Sequence, residues 1–199
     1  MAGGSGSGQA AQRSAAAGPR RPQGIHVLWC AGVAVLGLVA DAATKAWALS
    51  ALRGGHRITT PGGLVRLQLV INHGAAFGLA AGYEPLLTAV AIVGMVLLAT
   101  WAVRAVGGAE RLGAALAAAG AAGNLLDRLI RPPAVLHGGV VDWLHIWFYG
   151  PTFNLADVWL RGGLLIAVAG WLWHHRGASG PAVPHQGGEP APGSGGPVA

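Results

Sequence analysis

The chain has 199 residues, of which 53% are hydrophobic and only 10% are charged, whereas about 25% of residues are charged in an ordinary soluble domain. This composition argues against a conventional water-soluble globule. A single cysteine, Cys30, excludes an intramolecular disulfide and a cysteine-rich metal site. The net charge of +6 is not arranged as a basic stripe with interleaved aromatic residues, so membrane spans with basic flanks explain it better than nucleic-acid binding.

Both ends of the chain have compositions typical of disorder. Residues 1–23 are built mainly from Gly, Ala, Ser, Gln, Pro and Arg, and residues 177–199 mainly from Gly, Pro, Ala and Ser. Such segments bury too little apolar surface to offset the entropy lost on ordering. We therefore expect two disordered tails around one membrane domain over residues 24–176.

Four stretches are candidates for membrane-spanning helices, because about 20 predominantly apolar residues are needed to cross the hydrocarbon core of a bilayer. The first and second contain long uncharged runs. The third and fourth reach spanning length only when charged residues at their ends are included, and either alone could be a buried core helix. The predicted spans cover residues 25–49, 85–105, 111–130 and 154–174.

The segment between the first two spans, residues 57–79, is not a span. Residues 64–71 begin with imperfect alternation and end in β-branched residues, and turn-forming residues flank them on both sides, which predicts a strand. The expected fold class is therefore an all-α polytopic membrane protein, with four transmembrane helices and a small extracytoplasmic β element after the first helix.

The distribution of arginines predicts the orientation of this domain. Four spans place both tails on one side of the membrane, and the N-terminal tail carries Arg13, Arg20 and Arg21 without an acid. By the positive-inside rule both tails are cytoplasmic, although the opposite loops also contain arginines and the bias is slight.

The four aspartates of the chain, Asp41, Asp127, Asp142 and Asp157, are all predicted at or near the same membrane face. An acid at bilayer depth costs roughly 2.5 to 3.5 kcal/mol, so such residues usually face the bundle interior. Ion pairs that hold helix ends are favoured for Asp41 with Lys45, which at i and i+4 share a helix face, and for the adjacent residues Asp127 and Arg128.

Asp142 and Asp157 lie in apolar or aromatic surroundings, with no basic residue within four positions except His145 and Arg161. Two carboxyls in a poorly hydrated pocket share one proton near neutral pH, as in an aspartic protease. From spacing alone, a catalytic pair, a proton relay and a structural role all remain open.

Asparagines and histidines complete the polar pattern. Asn72, Asn124 and Asn154 each lie at the edge of a span or loop, where an amide can orient a carboxyl or bind peptide backbone. The histidine spacings match no metal-binding motif, so we expect neither a metal nor another cofactor.

Five segments, in order, resemble the motifs of the bacterial lipoprotein signal peptidases, the type II or prolipoprotein signal peptidases. They resemble D-x-x-T-K, N-x-G-A-A-F-G, G-N-x-x-D-R, V-V-D-F and F-N-x-A-D, and begin at Asp41, Asn72, Gly123, Val140 and Phe153. Trp143 stands where the family usually has Phe, and the interval from Asp142 to Asp157 is short for the family.

The resemblance implies an intramembrane aspartic endopeptidase of the bacterial cytoplasmic membrane, with its active site near the extracytoplasmic face. Such an enzyme cuts diacylglyceryl-modified prolipoproteins on the N-terminal side of the lipidated Cys, and globomycin inhibits it. We expect a monomer in contact with membrane lipids. The resemblance assigns Asp142 and Asp157 as catalytic, Asn72, Asn124, Arg128 and Asn154 as substrate-binding, and Asp41, Lys45, Gly74, Phe77 and Asp127 as supporting residues.

Two other classes of function are compatible with clustered aspartates. A small proton-coupled transporter would use them as a proton relay, and it usually has acids distributed through the membrane depth. A structural membrane protein would tolerate their replacement at a cost in stability only.

Overall fold

A computed structural model describes residues 23–74 and 82–176. Phe77 and the two predicted tails lie outside these residues, except that Gln23 already begins the first helix. Long helices and a short antiparallel sheet alternate along the chain. They are α1 (Gln23–Ala51), β1 (Arg57–Thr59), β2 (Val65–Asn72), α2 (Glu84–Arg104), α3 (Gly108–Ile130), β3 (Val140–Ile146), β4 (Thr152–Phe153) and α4 (Leu155–Arg176).

Three of the helices are long and apolar enough to cross a membrane: Val27–Ala51, Glu84–Arg104 and Leu155–Arg176, with mean hydropathies of 1.9, 2.4 and 1.5. Their outer faces carry large exposed apolar side chains, such as Leu28, Leu97 and Leu165. Exposed apolar surface on this scale is rare on monomeric soluble proteins and is suited to lipid. The chain is therefore a multi-pass membrane protein.

Helix α3 lies at the centre of the bundle, in contact with α1, α2 and α4. It is rich in Ala and Gly, and most of its small residues are buried. A Cβ atom on Gly113 would overlap the backbone of α4 at Gly163 and Ala167, and one on Gly120 would overlap it at Ala156 and Leu160. Small residues thus let the two backbones approach closely, as in other membrane helix pairs.

The sheet has the strand order β1-β2-β3-β4, and all neighbours are antiparallel. The strand after the first helix was predicted, whereas β3 and β4, between α3 and α4, were not. Strand β3 pairs with β2, which lies far away in sequence, so that Val70 faces Asp142 and Asn72 faces Val140. Such long-range pairing is not visible in local sequence periodicity.

Candidate active site

The pairing of β2 with β3 places Asn72 beside Asp142. The Asn72 Nδ2 atom donates to Asp142 Oδ2 at 3.0 Å. The backbone N–H of Gly74 donates to Asn72 Oδ1 at 2.9 Å, which fixes the orientation of the amide. Asn72 therefore presents a hydrogen-bond donor to the Asp142 carboxyl.

Asn154 immediately precedes α4 and acts as its N-cap. Its Oδ1 atom accepts a hydrogen bond from the backbone N–H of Asp157 at 3.0 Å, which satisfies a free amide of the first helical turn. Its Nδ2 atom donates to Asp142 Oδ1 at 2.7 Å and to Asn124 Oδ1 at 3.0 Å. Asn154 is fully buried, so one side chain both begins the helix and holds the Asp142 carboxyl.

Asp157 lies in the first turn of α4, where the helix dipole stabilises an acidic side chain. The Asn124 Nδ2 atom of α3 donates to Asp157 Oδ1 at 3.0 Å. Asn124 and Asn154 are hydrogen-bonded to each other and thereby connect the two carboxyls. Asp142 and Asp157 line the same cavity of about 920 Å³.

The surroundings of Asp142 favour its neutral form. Only 2% of its surface is exposed, and burial raises the pKa of this carboxyl from 3.8 to about 7. The charge of Asp157 raises the pKa further, while the hydrogen bonds from Asn72 and Asn154 oppose the shift. Asp142 can therefore carry a proton near neutral pH, as one member of an acid–base pair requires.

A buried ion cluster contacts Asn124 and the first turn of α4. The Lys45 Nζ atom, whose residue is 1% exposed, lies 2.7 Å from Asp41 and 2.9 Å from Asp127. The same atom donates to Asn124 Oδ1 at 3.1 Å. Asp41 accepts the backbone N–H of Ala156 at 2.8 Å. Each buried charge is thus compensated, and the cluster orients Asn124.

Asp127 holds the other side of the site. Its Oδ2 atom accepts the backbone N–H of Val141, next to Asp142, at 3.1 Å. The prediction that it pairs with Arg128 was wrong, since its other basic partner besides Lys45 is Arg131, at 2.5 Å. Adjacent side chains diverge around a helix, whereas those at i and i+4 share a face.

Arg128 instead reaches across to the segment after β2. Its Nη2 atom donates to the carbonyl of Gly74 at 2.6 Å. Its Nη1 atom is buried and has no hydrogen-bond partner among the residues that the structure describes. The residue lines the cavity, so this N–H group is a candidate to bind a substrate carbonyl.

The cavity has an apolar wall on α2. The residues of this wall are spaced three or four apart, as expected for one face of a helix. They are Leu87, Val90, Ala91, Gly94 and Leu98. No role was predicted for these residues, nor for Arg161, which also lines the cavity. Only its i, i+4 spacing from Asp157 pointed to Arg161.

A metal site of familiar type is not formed by the described residues, since no three His, Cys, Asp or Glu side chains converge there. The polar side chains that line the cavity are two carboxyls, two amides, two guanidinium groups, an imidazole and a hydroxyl: Asp142, Asp157, Asn72, Asn124, Arg128, Arg161, His73 and Thr152. Such a set is suited to binding a peptide backbone and moving protons.

Comparison with known proteins identifies the family. Residues 33–173 match the family model of signal peptidase (SPase) II. The lipoprotein signal peptidase of Mycobacterium tuberculosis (strain ATCC 25618 / H37Rv) is 39% identical over 162 residues, which cover 81% of this chain and 77% of the relative. That of Bifidobacterium longum subsp. infantis is 39% identical over 129 residues, which cover 64% and 69%.

Two solved structures, each described as a bacterial membrane enzyme, have a similar fold. One superimposes with a TM-score of 0.66 at 23% identity, over 80% of this chain and 94% of the other. The second has a TM-score of 0.60 at 25% identity, over 75% and 93%. The match to the family model and the identity to these relatives show that the chain belongs to the signal peptidase II family, the lipoprotein signal peptidases.

Proposed function

We propose that this member of the lipoprotein signal peptidase family is an intramembrane aspartic endopeptidase with Asp142 and Asp157 as its catalytic pair. Membership of the family makes it a protease that removes signal peptides from prolipoproteins. One observation carries the proposal: both carboxyls line one cavity and are connected through the Asn124–Asn154 amide pair. The proposed cut is on the N-terminal side of a diacylglyceryl-modified Cys.

In the proposed reaction the ionised Asp157 takes a proton from a water molecule, and the water oxygen attacks the scissile carbonyl carbon. Asp142, protonated near neutral pH, donates its hydrogen to the carbonyl oxygen and stabilises the developing oxyanion. When the carbon–nitrogen bond breaks, Asp157 returns its proton to the leaving amine, and Asp142 takes back a proton from the tetrahedral intermediate as the new carboxyl group forms. The raised pKa of Asp142 supports this division of roles.

The remaining polar side chains position the reactants. Asn72 and Asn154 hold Asp142, and Asn124 holds Asp157. The Nη1 group of Arg128, which has no partner among the described residues, is available for a backbone carbonyl of the substrate. The apolar wall of α2 suits the lipid-bearing part of a prolipoprotein, since acyl chains require apolar surroundings.

The course of the chain supports a four-span arrangement with both termini on the cytoplasmic side, the placement that we propose in the bacterial inner membrane. Helix α2 ends at Arg104 and α3 begins at Gly108, so these two helices run in opposite directions. The sheet and the site lie where α1 and α3 end and where α4 begins. The short α2–α3 connection, flanked by Arg104 and Arg111, therefore lies on the side opposite to the active site.

The proposal also includes the rest of the expected organisation: a single domain over residues 24–176, a monomeric enzyme and inhibition by globomycin. The proton-coupled transporter is the alternative. It is disfavoured because the four aspartates gather at one end of the bundle, around α1, α3, β3 and the start of α4.

The test is a gel-shift assay with a diacylglyceryl-modified prolipoprotein and purified protein in lipid. Wild type should cleave the substrate and globomycin should block cleavage, whereas Asp142→Asn and Asp157→Asn should be inactive with unchanged thermal unfolding profiles at acidic pH. Glu110→Gln is a matched control, because Glu110 is a buried carboxyl that binds Trp101 near the other end of α3. Turnover by either Asp variant refutes the catalytic pair. A folded wild type that does not cleave but carries protons across liposomes supports the transporter.

A further inference from the structure

A cation lies beside one of the two carboxyls of the cavity. Arg161 follows Asp157 by four residues on α4, and both residues line the cavity. The Arg161 Nη2 atom lies 3.8 Å from Asp157 Oδ2, and the two side chains are 46% and 17% exposed. The guanidinium therefore occupies the open side of the cavity, against the Asp157 oxygen that Asn124 leaves free.

Tyr149, in the turn between β3 and β4, holds this guanidinium. The Arg161 Nη1 atom donates to the Tyr149 hydroxyl oxygen at 2.5 Å. The Arg161 guanidinium carbon lies 5.6 Å from the centre of the Tyr149 ring, within the range of a cation–π contact. The Tyr149 ring packs edge-on against Phe153, with ring centres 5.4 Å apart. A hydrogen bond and an aromatic ring thus hold the Arg161 side chain in place.

The two carboxyls consequently have different surroundings. Both oxygens of Asp142 accept hydrogen bonds from neutral amides, those of Asn72 and Asn154. Asp157 instead has one neutral amide and the Arg161 cation. Other titratable or charged groups near Asp157 come from each neighbouring element. They are Lys45 of α1, beneath Asn124, Arg128 of α3, Asp142 of β3 and His73 after β2.

We propose that Arg161 is a positioning residue that stabilises the Asp157 carboxylate, so that Asp157 acts as the base and the shared proton resides on Asp142. This inference rests on the proposed peptidase function. Tyr149 contributes by holding the guanidinium at the edge of the cavity. A bound substrate covers this edge and excludes water, which strengthens the attraction between the guanidinium and the carboxylate. Acid and base roles are assigned when the surroundings of two titratable groups separate their pKa values.

The experiment compares the pH dependence of cleavage by wild type, Arg161→Gln, Arg161→Lys and Tyr149→Phe with the lipidated prolipoprotein. Arg161→Gln should move the acid limb of kcat/KM upward by about half a pH unit, the size expected for a partly exposed pair. On the acid side of that limb its kcat/KM should therefore fall about threefold, since half a pH unit is a factor of about three. Arg161→Lys should restore most of the limb, and Tyr149→Phe should shift it in the same direction by less.

A purely structural role of Arg161 predicts another result: an equal loss of rate at every pH, the same for Lys and Gln. That result, or an unshifted acid limb in Arg161→Gln, overturns the inference. Arg176→Gln, at the far end of the same helix, is the matched control and should retain the wild-type profile. Asp142→Asn and Asp157→Asn are assayed in parallel to separate the two proposals. If both are inactive but the pH profile of Arg161→Gln is unshifted, only the proposed role of Arg161 is refuted.

Discussion

Replacement of Asn154 by Asp provides a sharp test of the amide pair that connects the carboxyls. The new side chain has nearly the same shape, and one oxygen can still cap α4 by accepting the backbone N–H of Asp157. The other oxygen replaces an N–H donor that lies 2.7 Å from Asp142 Oδ1 and 3.0 Å from Asn124 Oδ1. A donor to a carboxyl thus becomes a second carboxyl.

The expected effect follows from these contacts. Asp142 becomes charged when it gives up its proton during the reaction, and loss of a hydrogen bond to a charged group costs about 1.5 to 3 kcal/mol. Each 1.36 kcal/mol in the activation free energy is a factor of ten in rate. We therefore expect kcat of Asn154→Asp to fall by a factor of about 10 to 150 at pH 7. At lower pH the new carboxyl is protonated, and its O–H group again donates to Asp142, so activity should recover in part.

The assay is the initial rate of prolipoprotein cleavage from pH 5 to 8, with thermal unfolding measured on the same samples. Asn154→Ala is the control, because it lacks both the cap, worth about 1 kcal/mol, and any group that acid can convert into a donor. A wild-type rate of Asn154→Asp at pH 7 would refute the reasoning. So would the same pH profile for the Asp and Ala variants.

Three further predictions concern stability. The pKa of Asp142 is raised to about 7 in the folded protein, so between about pH 4 and 7 the folded state binds a proton that the unfolded state has lost. The midpoint of thermal unfolding should therefore fall as pH rises from about 4 to 7 and then level off. Asp142→Asn should lack this dependence on pH, and an identical slope in the variant would contradict the raised pKa. Lys45→Met leaves two buried acids without their shared cation and should lower the free energy of unfolding by about 3 to 5 kcal/mol in chemical denaturation. Arg131→Met removes a partly exposed partner of Asp127 and should lower it by about 1 kcal/mol or less. Similar losses in the two variants would contradict the central role of the buried cluster. Gly120→Ala should lower the free energy of unfolding by about 1 to 3 kcal/mol, because the added methyl group would overlap the α4 backbone. Gly162→Ala has open space at its Cβ position and, in the same assay, should leave the free energy of unfolding unchanged or raise it by up to about 1 kcal/mol.

The helices could be predicted from the sequence because apolar composition over neighbouring residues is a local signal. The observed bounds of α1, α2, α3 and α4 lie within a few residues of the four predicted apolar segments. The apolar character of a segment is a sum over neighbouring residues, and backbone hydrogen bonding in lipid leaves such a segment little choice but a helix. The hydropathy of α3 is lower because this central helix consists largely of Ala and Gly, which pack closely against the other helices and do not need to contact lipid.

The partners of the polar residues depend on pairing across the chain. The i, i+4 ion pair of Asp41 and Lys45 was predictable and is present at 2.7 Å. The third member of that cluster, Asp127, comes from another helix, and its neighbour Arg128 turns away towards Gly74. Helix geometry determines which residues share a face, but only packing determines which faces meet.

By itself, the sequence determined the membrane character, the family motifs and the scarcity of acids that made each aspartate informative. The tertiary structure alone decided that β3 pairs with β2, that one asparagine caps α4 while it binds Asp142, and that Tyr149 from the β3–β4 turn binds Arg161. The reason is physical. Composition and periodicity act over a few residues, whereas the surroundings that separate the two carboxyls arise from elements that are distant in sequence and meet only when the bundle and the sheet are packed.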